Sequence, residues 1–325
     1  MLRLGVLGVG HLGKIHLKCA GLVKQIETIG FFDPDPEACR IATEQYGIPA
    51  FPSMDNLFDA VDAIDIVTPT STHFELAQAA LLAGKHVFME KPATETPEET
   101  LKLIQIAGER DLKVQVGHVE RFNPALMALQ DLNLKPMFIE AHRLSEFNPR
   151  GTDVSVVQDI MIHDLDIVLS LVRSPVRSIS ASGVAVVSES ADIANARIEF
   201  DNGCVANLTA SRMSMKRMRK IRLFQRDAYI SVDFLKKESN VISLHNAPDT
   251  ADNLLEIDTG KDKKWLKFAQ LAPDDHNAIE LELRTFAESI LNDQPVKVGL
   301  EDAHRAISLS RAILQEIEER NRLTR

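Results

Sequence analysis

Three side chains between Val154 and Val172 have types and spacing that suit work on a polar molecule. Asp159, His163 and Asp166 recur at intervals of four and three, which places them on one face of a helix. Around them stand Val156, Val157, Ile160, Met161, Ile162, Leu165, Ile167, Val168, Leu169 and Leu171. A helix that apolar on nearly all sides is largely buried. Buried polar groups are costly unless paired, so something must meet the Asp159–His163–Asp166 stripe. A polar substrate in a cleft between domains would do so; a structural Asp–His pair is the blander reading. No metal is expected there, because Asp-x3-His-Asp brings no third ligand group at metal-site spacing.

A second constellation lies at the start of the chain. The apolar run Leu2 to Leu7 leads into Gly8-Val9-Gly10-His11-Leu12-Gly13, then a helical stretch, then Thr28 to Phe32 and Asp33. This order is strand, tight turn, helix, strand, acid. Gly8 permits the turn, Gly10 lets backbone approach a pyrophosphate, and Gly13 lets helix and strand pack closely. The helix N-terminus offers free N–H groups and a partial positive charge to the pyrophosphate. Asp33 stands where a carboxylate accepts hydrogen bonds from the adenosine ribose. That carboxylate would repel a 2′-phosphate, so NAD is expected over NADP.

The elements that follow extend one architecture. Asp35 and Pro36 open a helix that ends before Gly47, and a short helix follows Ser53. Ala63 to Val67 reads as a strand. Thr72-His73-Phe74-Glu75 reads as a capping box for a helix stopping at Gly84. His86 to Met89 is a strand running into Glu90-Lys91-Pro92. Thr96-Pro97-Glu98-Glu99 is a second capping box, and Lys113 to Val116 a further strand. Strands alternating with helices imply a doubly wound parallel sheet, with ligands at the strands' carboxyl ends. Gly8, Asp33, Thr68, Glu90-Lys91 and Gly117-His118 all fall at such ends. A lysine beside a cationic nicotinamide ring loses proton affinity, which tunes Lys91 for proton transfer or for polarising a carbonyl.

Thr68-Pro69 through His73, then Ala83-Gly84-Lys85-His86-Val87-Phe88-Met89-Glu90-Lys91-Pro92, resembles the oxidoreductase family that includes glucose–fructose oxidoreductase and inositol dehydrogenase. The likeness continues through Gly117-His118-Val119-Glu120-Arg121-Phe122-Asn123-Pro124. It implies a Rossmann domain joined to a C-terminal α+β domain with an open, mostly antiparallel sheet, assembled as homodimers or homotetramers. By resemblance the cofactor is held by Gly8, Gly10, His11, Leu12, Gly13, Asp33, Thr68, Pro69, Thr70, His73, Glu90, Lys91 and His118. Asp159 and His163 match an Asp and a His that work with the Glu-Lys-Pro lysine, although a glycine often found between them is Met161 here. In the implied roles His163 removes a hydroxyl proton, Asp159 orients His163, and Lys91 polarises the developing ketone. Which of His163 and Lys91 is the base stays open. Arg121 and Arg143 are expected to join Lys91, Asp159 and His163 around the substrate. Within the family the chain looks most like the UDP-N-acetylglucosamine 3-dehydrogenase branch. A free-sugar or inositol dehydrogenase and a non-catalytic NAD sensor are the alternatives.

Beyond Val172 the period changes to two. Ala194, Ala196, Ile198 and Phe200 alternate with polar residues, Asp201-Asn202-Gly203 signals a hairpin, and Cys204, Ala206, Leu208 and Ala210 resume the pattern. Ile221 to Phe224 and Tyr229 to Val232 add strands. The basic run from Arg212 to Arg222 reads first as a solvated loop, and second as a diphosphate-binding element. Asp274-Asp275 is expected to cap a helix carrying Leu283, Phe286 and Ile290, with His276 in its first turn. The domains expected are 1–122 for the nucleotide and 123–325 for substrate and oligomerisation, the last helix packing back onto one of them.

The 325 residues fit two domains, and 45% apolar with 26% charged residues is ordinary for a globular chain. A net charge of −10 argues against a general nucleic-acid binder, and no apolar run is long enough for a bilayer span. Cys19, Cys39 and Cys204 are an odd set at unrelated spacings, as expected of free thiols in a reducing cytoplasm.

Overall fold

The computed structural model describes the chain apart from residues 148–153, 247–253, 259, 261, 324 and 325. The first half runs β1 (Leu2–Leu7), α1 (His11–Ala20), β2 (Ile26–Phe32), α2 (Pro36–Tyr46), α3 (Met54–Ala60), β3 (Ala63–Ile66), α4 (His73–Leu82), β4 (His86–Glu90), α5 (Pro97–Glu109) and β5 (Val114–Gly117). After α6 (Pro124–Met127) come β6 (Phe138–Leu144), α7 (Ile162–Leu171), β7 (Val176–Val184), β8 (Ile193–Phe200), β9 (Val205–Ser211), β10 (Met218–Gln225) and β11 (Ala228–Asp233). The remainder is β12 (Glu238–His245), β13 (Leu254–Asp258), β14 (Lys263–Leu271), α8 (Ala278–Leu291) and α9 (Leu300–Leu323).

The chain forms two compact units, Met1–Phe122 with His276–Ser308 and Asn123–Asp275 with Leu309–Arg325. The first holds a parallel sheet in the order β2-β1-β3-β4-β5. Its central strands are buried on both faces, which is why Leu2, Leu4, Val6 and Leu7, and likewise Ala63 to Ile66, read as near-continuous apolar runs. Residues 276–308 belong to this unit although a division at 122/123 would put them in the second. The reason is hydrophobic: Leu283, Phe286 and Ala287 of α8 complete the core formed by Leu2, Leu4, Cys19, Ala20, Ala63 and Phe88.

Local signals set the helix ends. The Asp35 side chain accepts from the Glu37 N–H at 2.9 Å, and Gly47 closes α2 at φ +67°. Thr96 and Glu99 form the expected reciprocal box at α5. The box expected at Thr72 is absent: its hydroxyl instead donates to the Pro69 carbonyl and lies 2.8 Å from the Thr68 hydroxyl, in a 3-10 turn over Thr70–Thr72. Asn277, not Asp274 or Asp275, caps α8, accepting from the Ile279 and Glu280 N–H groups.

The second unit holds nine strands in the order β13-β14-β12-β11-β10-β6-β9-β8-β7. All neighbours are antiparallel except β6 and β9. Ala194, Ala196, Ile198 and Phe200 of β8 and Ala206, Leu208 and Ala210 of β9 are buried, as their alternation predicts. Gly203 turns the hairpin at φ +84°. The opposite face is polar, and a cavity of about 470 Å³ there is bordered by His142, Asn195, Arg197, Asn207, Thr209 and Arg320. Of the basic run expected as a solvated loop, residues 212–217 are a loop and residues 218–222 are the start of β10, which pairs with β6 and β11. Lys220 meets Asp233 at 3.1 Å and Arg222 meets Glu140 at 3.1 Å, which spends these two cations on cross-strand pairs. Among the described residues, no helix is long and apolar enough to cross a membrane.

Candidate functional site

The nucleotide end of the first unit is built by glycines. A Cβ at Gly13 would lie 2.0 Å from the Gly8 carbonyl oxygen, and one at Gly8, whose φ is +90°, would lie 2.7 Å from that of Val67. Nothing stands within 4 Å of a Cβ built at Gly10, so that glycine keeps an open approach to the first turn of α1. Asp33 is held by backbone: its carboxylate accepts from the Val9 N–H at 2.8 Å and the Asp35 N–H at 2.9 Å. A cavity of about 380 Å³ opens beside these groups. Gly8, Gly10, Asp33, Thr68 and Pro69 line it, together with Met54 and Leu76, which the sequence did not single out. A mostly apolar cavity bordered by a carboxylate suits an adenosine half, so the residues present fit a dinucleotide.

The other expected cofactor residues have separate places. His11 and Leu12 are exposed on the first turn of α1. Thr70 lies in the 3-10 turn before α4. His73 is buried, with its ring nitrogens 2.8 Å from the Pro92 carbonyl oxygen and 2.9 Å from that of Thr68. It therefore ties the Thr68 loop to the Glu90-Lys91-Pro92 loop. His118 is buried just past β5, and its N–H donates to the Val116 carbonyl at 2.8 Å.

Glu90 also faces inward. One carboxylate oxygen accepts from the Lys91 backbone N–H at 3.1 Å, and the other lies 3.2 Å from His16 Nε2. His16 Nδ1 lies 2.9 Å from Asp65, and Glu282 completes a buried group that sequence reasoning missed. A histidine inside an amphipathic helix and an acid inside a four-residue strand carry no spacing signal for one another.

In the second unit the expected helix is not α-helical throughout. Val157–Met161 is a π-helical turn, followed by α7. Asp159 sits in that wide turn and His163 on the first turn of α7, both half-buried, while Asp166 is buried. π turns recur where a helix presents functional groups. Arg143 is placed in the interior rather than at a surface: its guanidinium donates to Asp164 at 2.7 Å, both side chains are 4% exposed, and it lies over the Phe234 ring. Arg121, in the first unit, lies 3.6 Å from Asp302.

A dinucleotide-binding parallel sheet joined in one chain to a nine-stranded sheet with an Asp–His helix defines a nucleotide-dependent oxidoreductase. The chain belongs to the GFO/IDH/MocA oxidoreductase family: residues 2–118 match its NAD-binding Rossmann-fold domain and residues 137–230 its C-terminal domain. NAD is its cofactor. The chain is 43% identical over 241 residues to the UDP-N-acetylglucosamine 3-dehydrogenase of Acidithiobacillus ferrooxidans, covering 74% of this chain and 76% of that one. The solved structure of that enzyme superposes with a TM-score of 0.88 at 35% identity, over 98% of both chains. The myo-inositol 2-dehydrogenase of Thermotoga maritima is 24% identical over 338 residues, 98% of this chain and 97% of that one.

Proposed function

We propose that this oxidoreductase oxidises the C3 hydroxyl of a UDP-N-acetylhexosamine, giving a 3-keto sugar nucleotide, NADH and a proton. The observation that carries this is the likeness, over 98% of both chains, to an enzyme named for that reaction. NAD, when bound, supplies the hydride acceptor. His163 takes the hydroxyl proton, Asp159 orients the imidazole and stabilises its charged form, and Lys91 polarises the carbonyl as it develops. Gly8, Gly10, Gly13 and Asp33 hold the dinucleotide, with Thr68 and Pro69 bordering the same cavity. An inositol or free-sugar substrate is the second reading, favoured by the full-length likeness to the Thermotoga enzyme. We further propose a homo-oligomer, by resemblance to the family, and a cytoplasmic location, supported by three free cysteines, two of them buried.

Thermal shifts with NAD and NADP, each with and without UDP-N-acetylglucosamine, UDP-glucose and inositol, test both readings, because a ligand that binds only the native state raises the melting temperature. NAD stabilisation increased by a UDP-sugar, with NADH formed in the same mixture, is the expected result. NADH formed only from inositol would transfer the assignment to the second reading. Lys91→Ala and His163→Ala should each lower kcat by roughly a hundredfold or more at little cost in NAD affinity, as loss of a general acid–base group does. Full turnover in either variant would remove that residue from the mechanism.

A further inference from the structure

Four elements of the first unit each send one titratable side chain to the same buried point: His16 from α1, Asp65 from β3, Glu90 from β4 and Glu282 from α8. His16, Asp65 and Glu282 have no exposed surface, and Glu90 is 9% exposed. Donor and acceptor atoms of His16, Glu90 and Glu282 all lie within 4.8 Å of one another. Phe88 closes one side, edge-on to the His16 ring at 5.8 Å and to Phe286 at 5.8 Å. Gln115 of β5 closes another, donating to the Glu282 backbone carbonyl at 2.7 Å. Cys19 of α1 lies within electrostatic reach of His16 and Glu282, and also of Lys18 and Glu280.

Three carboxyl groups face one imidazole, so the cluster cannot be neutral if all are ionised. Burial opposes a charged His16, but Asp65 and Glu90 outweigh it and raise the imidazole well above its usual range. Burial, and then the charge of Glu90, push Glu282 well above the usual carboxylate range. Among the described residues, neither Glu282 oxygen has a hydrogen-bond partner. A proton on Glu282, the carboxyl with no donor to satisfy it, removes one of the two excess negative charges and leaves a neutral acid facing Glu90. The far oxygen of Glu90 is the one that accepts from the Lys91 N–H.

We propose that Glu282 is a positioning residue for Lys91: kept neutral in its buried place within 4.8 Å of Glu90 and His16, it sets no second negative charge against Glu90, and so leaves in place the carboxylate that anchors the Lys91 peptide. This rests on the assignment of Lys91 to the reaction. When Glu282 loses its proton, two carboxylates face each other, and the one cation of the cluster, His16, is already shared with Asp65. Glu90 is displaced, and the Lys91 peptide moves with it. Misplacement of about 1 Å at such a site costs up to roughly a hundredfold in rate.

The test measures kcat against pH for the wild type, Glu282→Gln and Glu282→Ala, on whichever sugar the wild type oxidises in the panel above. NAD affinity and a melting curve serve as controls for folding. An amide mimics the protonated acid and cannot ionise. Glu282→Gln should therefore keep kcat within about twofold at neutral pH and lose the part of the alkaline decline that Glu282 causes. Glu282→Ala should lower kcat roughly tenfold with NAD affinity unchanged. If the alanine variant does not fold, an alkaline limb in Glu282→Gln identical to that of the wild type overturns the proposal by itself. Turnover lost to a chelator and restored by zinc would make these side chains metal ligands and would also overturn it. Full turnover in Lys91→Ala would refute the role of Lys91, whereas wild-type behaviour in both Glu282 variants would refute only the positioning.

Discussion

Asp192 in the second unit and Glu282 in the first are both carboxyl residues with no exposed surface, yet burial has opposite outcomes for them. Asp192 lies at the turn between β7 and β8, where one of its oxygens accepts from the N–H groups of Val186, Val187 and Ser188 at 2.7, 2.7 and 3.0 Å. Burial alone would raise it, but the Ser188 side chain and these three amides outweigh that and hold it well below the usual carboxylate range. Glu282 has burial and no donors, so it holds its proton. Burial decides only that a partner is needed; the donors present decide whether the group is an anion or an acid.

The largest expected effect falls on the satisfied carboxylate. Asp192→Ala strands three N–H groups and removes the acid beside the buried Arg212, and should cost about 3 kcal/mol in denaturant unfolding. Its pH dependence has a fixed sign. A group with a depressed native pKa stabilises above its unfolded value, and that stability is lost as pH falls through the native value. The wild type should therefore lose stability from about pH 4 downward more steeply than Asp192→Asn. Parallel acid curves for the two proteins would remove Asp192 as an anion held by the fold.

A smaller effect is expected at Gly117, which fits the comparison from the other side. A Cβ there would lie 2.7 Å from Glu90 Oε1 and 3.0 Å from its Cδ. Glu90 is held by His16 and by the Lys91 N–H, so it can give way only by breaking one of these contacts. Gly117→Ala should cost about 1–2 kcal/mol in stability and lower kcat more than NAD affinity. An alanine variant with wild-type kcat would show that Glu90 does not need its present position.

How much of this was legible in the sequence follows from how each feature is encoded. The glycine turn and Asp33 were readable because local backbone demands a residue type at a fixed spacing, and the Glu90-Lys91-Pro92 loop was readable through its resemblance to a family motif. The parallel strands were readable because burial on both faces leaves a near-continuous apolar run. The cluster at His16 was not: its four members lie far apart in sequence, and each alone resembles an ordinary helix or strand residue. β12, β13 and β14 escaped for a different reason, since their residues are mostly half-exposed and no apolar period marks a buried face. The π turn at Val157–Met161 mixes apolar and polar residues much as α7 after it does, so nothing in the sequence marks the wider turn. The buried pair of Arg143 with Asp164 was not legible, since nothing in the spacing of a strand arginine and a helix acid 21 residues on links them.

The smallest expected effect is a gain. Removing the Glu282 charge without removing its shape should stabilise the protein wherever the unfolded chain carries that charge. The native pKa of Glu282 is raised above its unfolded value of about 4.3, so its contribution is most favourable below that pH and is lost as pH rises toward the native value. Glu282→Gln has no such loss. The two proteins should melt together near pH 4, and the variant should melt higher at pH 7 and above, by on the order of 1 kcal/mol. The same substitution at Asp192 should destabilise at neutral pH, because there the fold is built to receive an anion. Opposite signs for one chemical change at two equally buried carboxyls would establish the contrast. A Glu282→Gln variant less stable than the wild type at pH 7 would mean that Glu282 is ionised in the folded protein, and the proton between Glu282 and Glu90 would have to be reassigned.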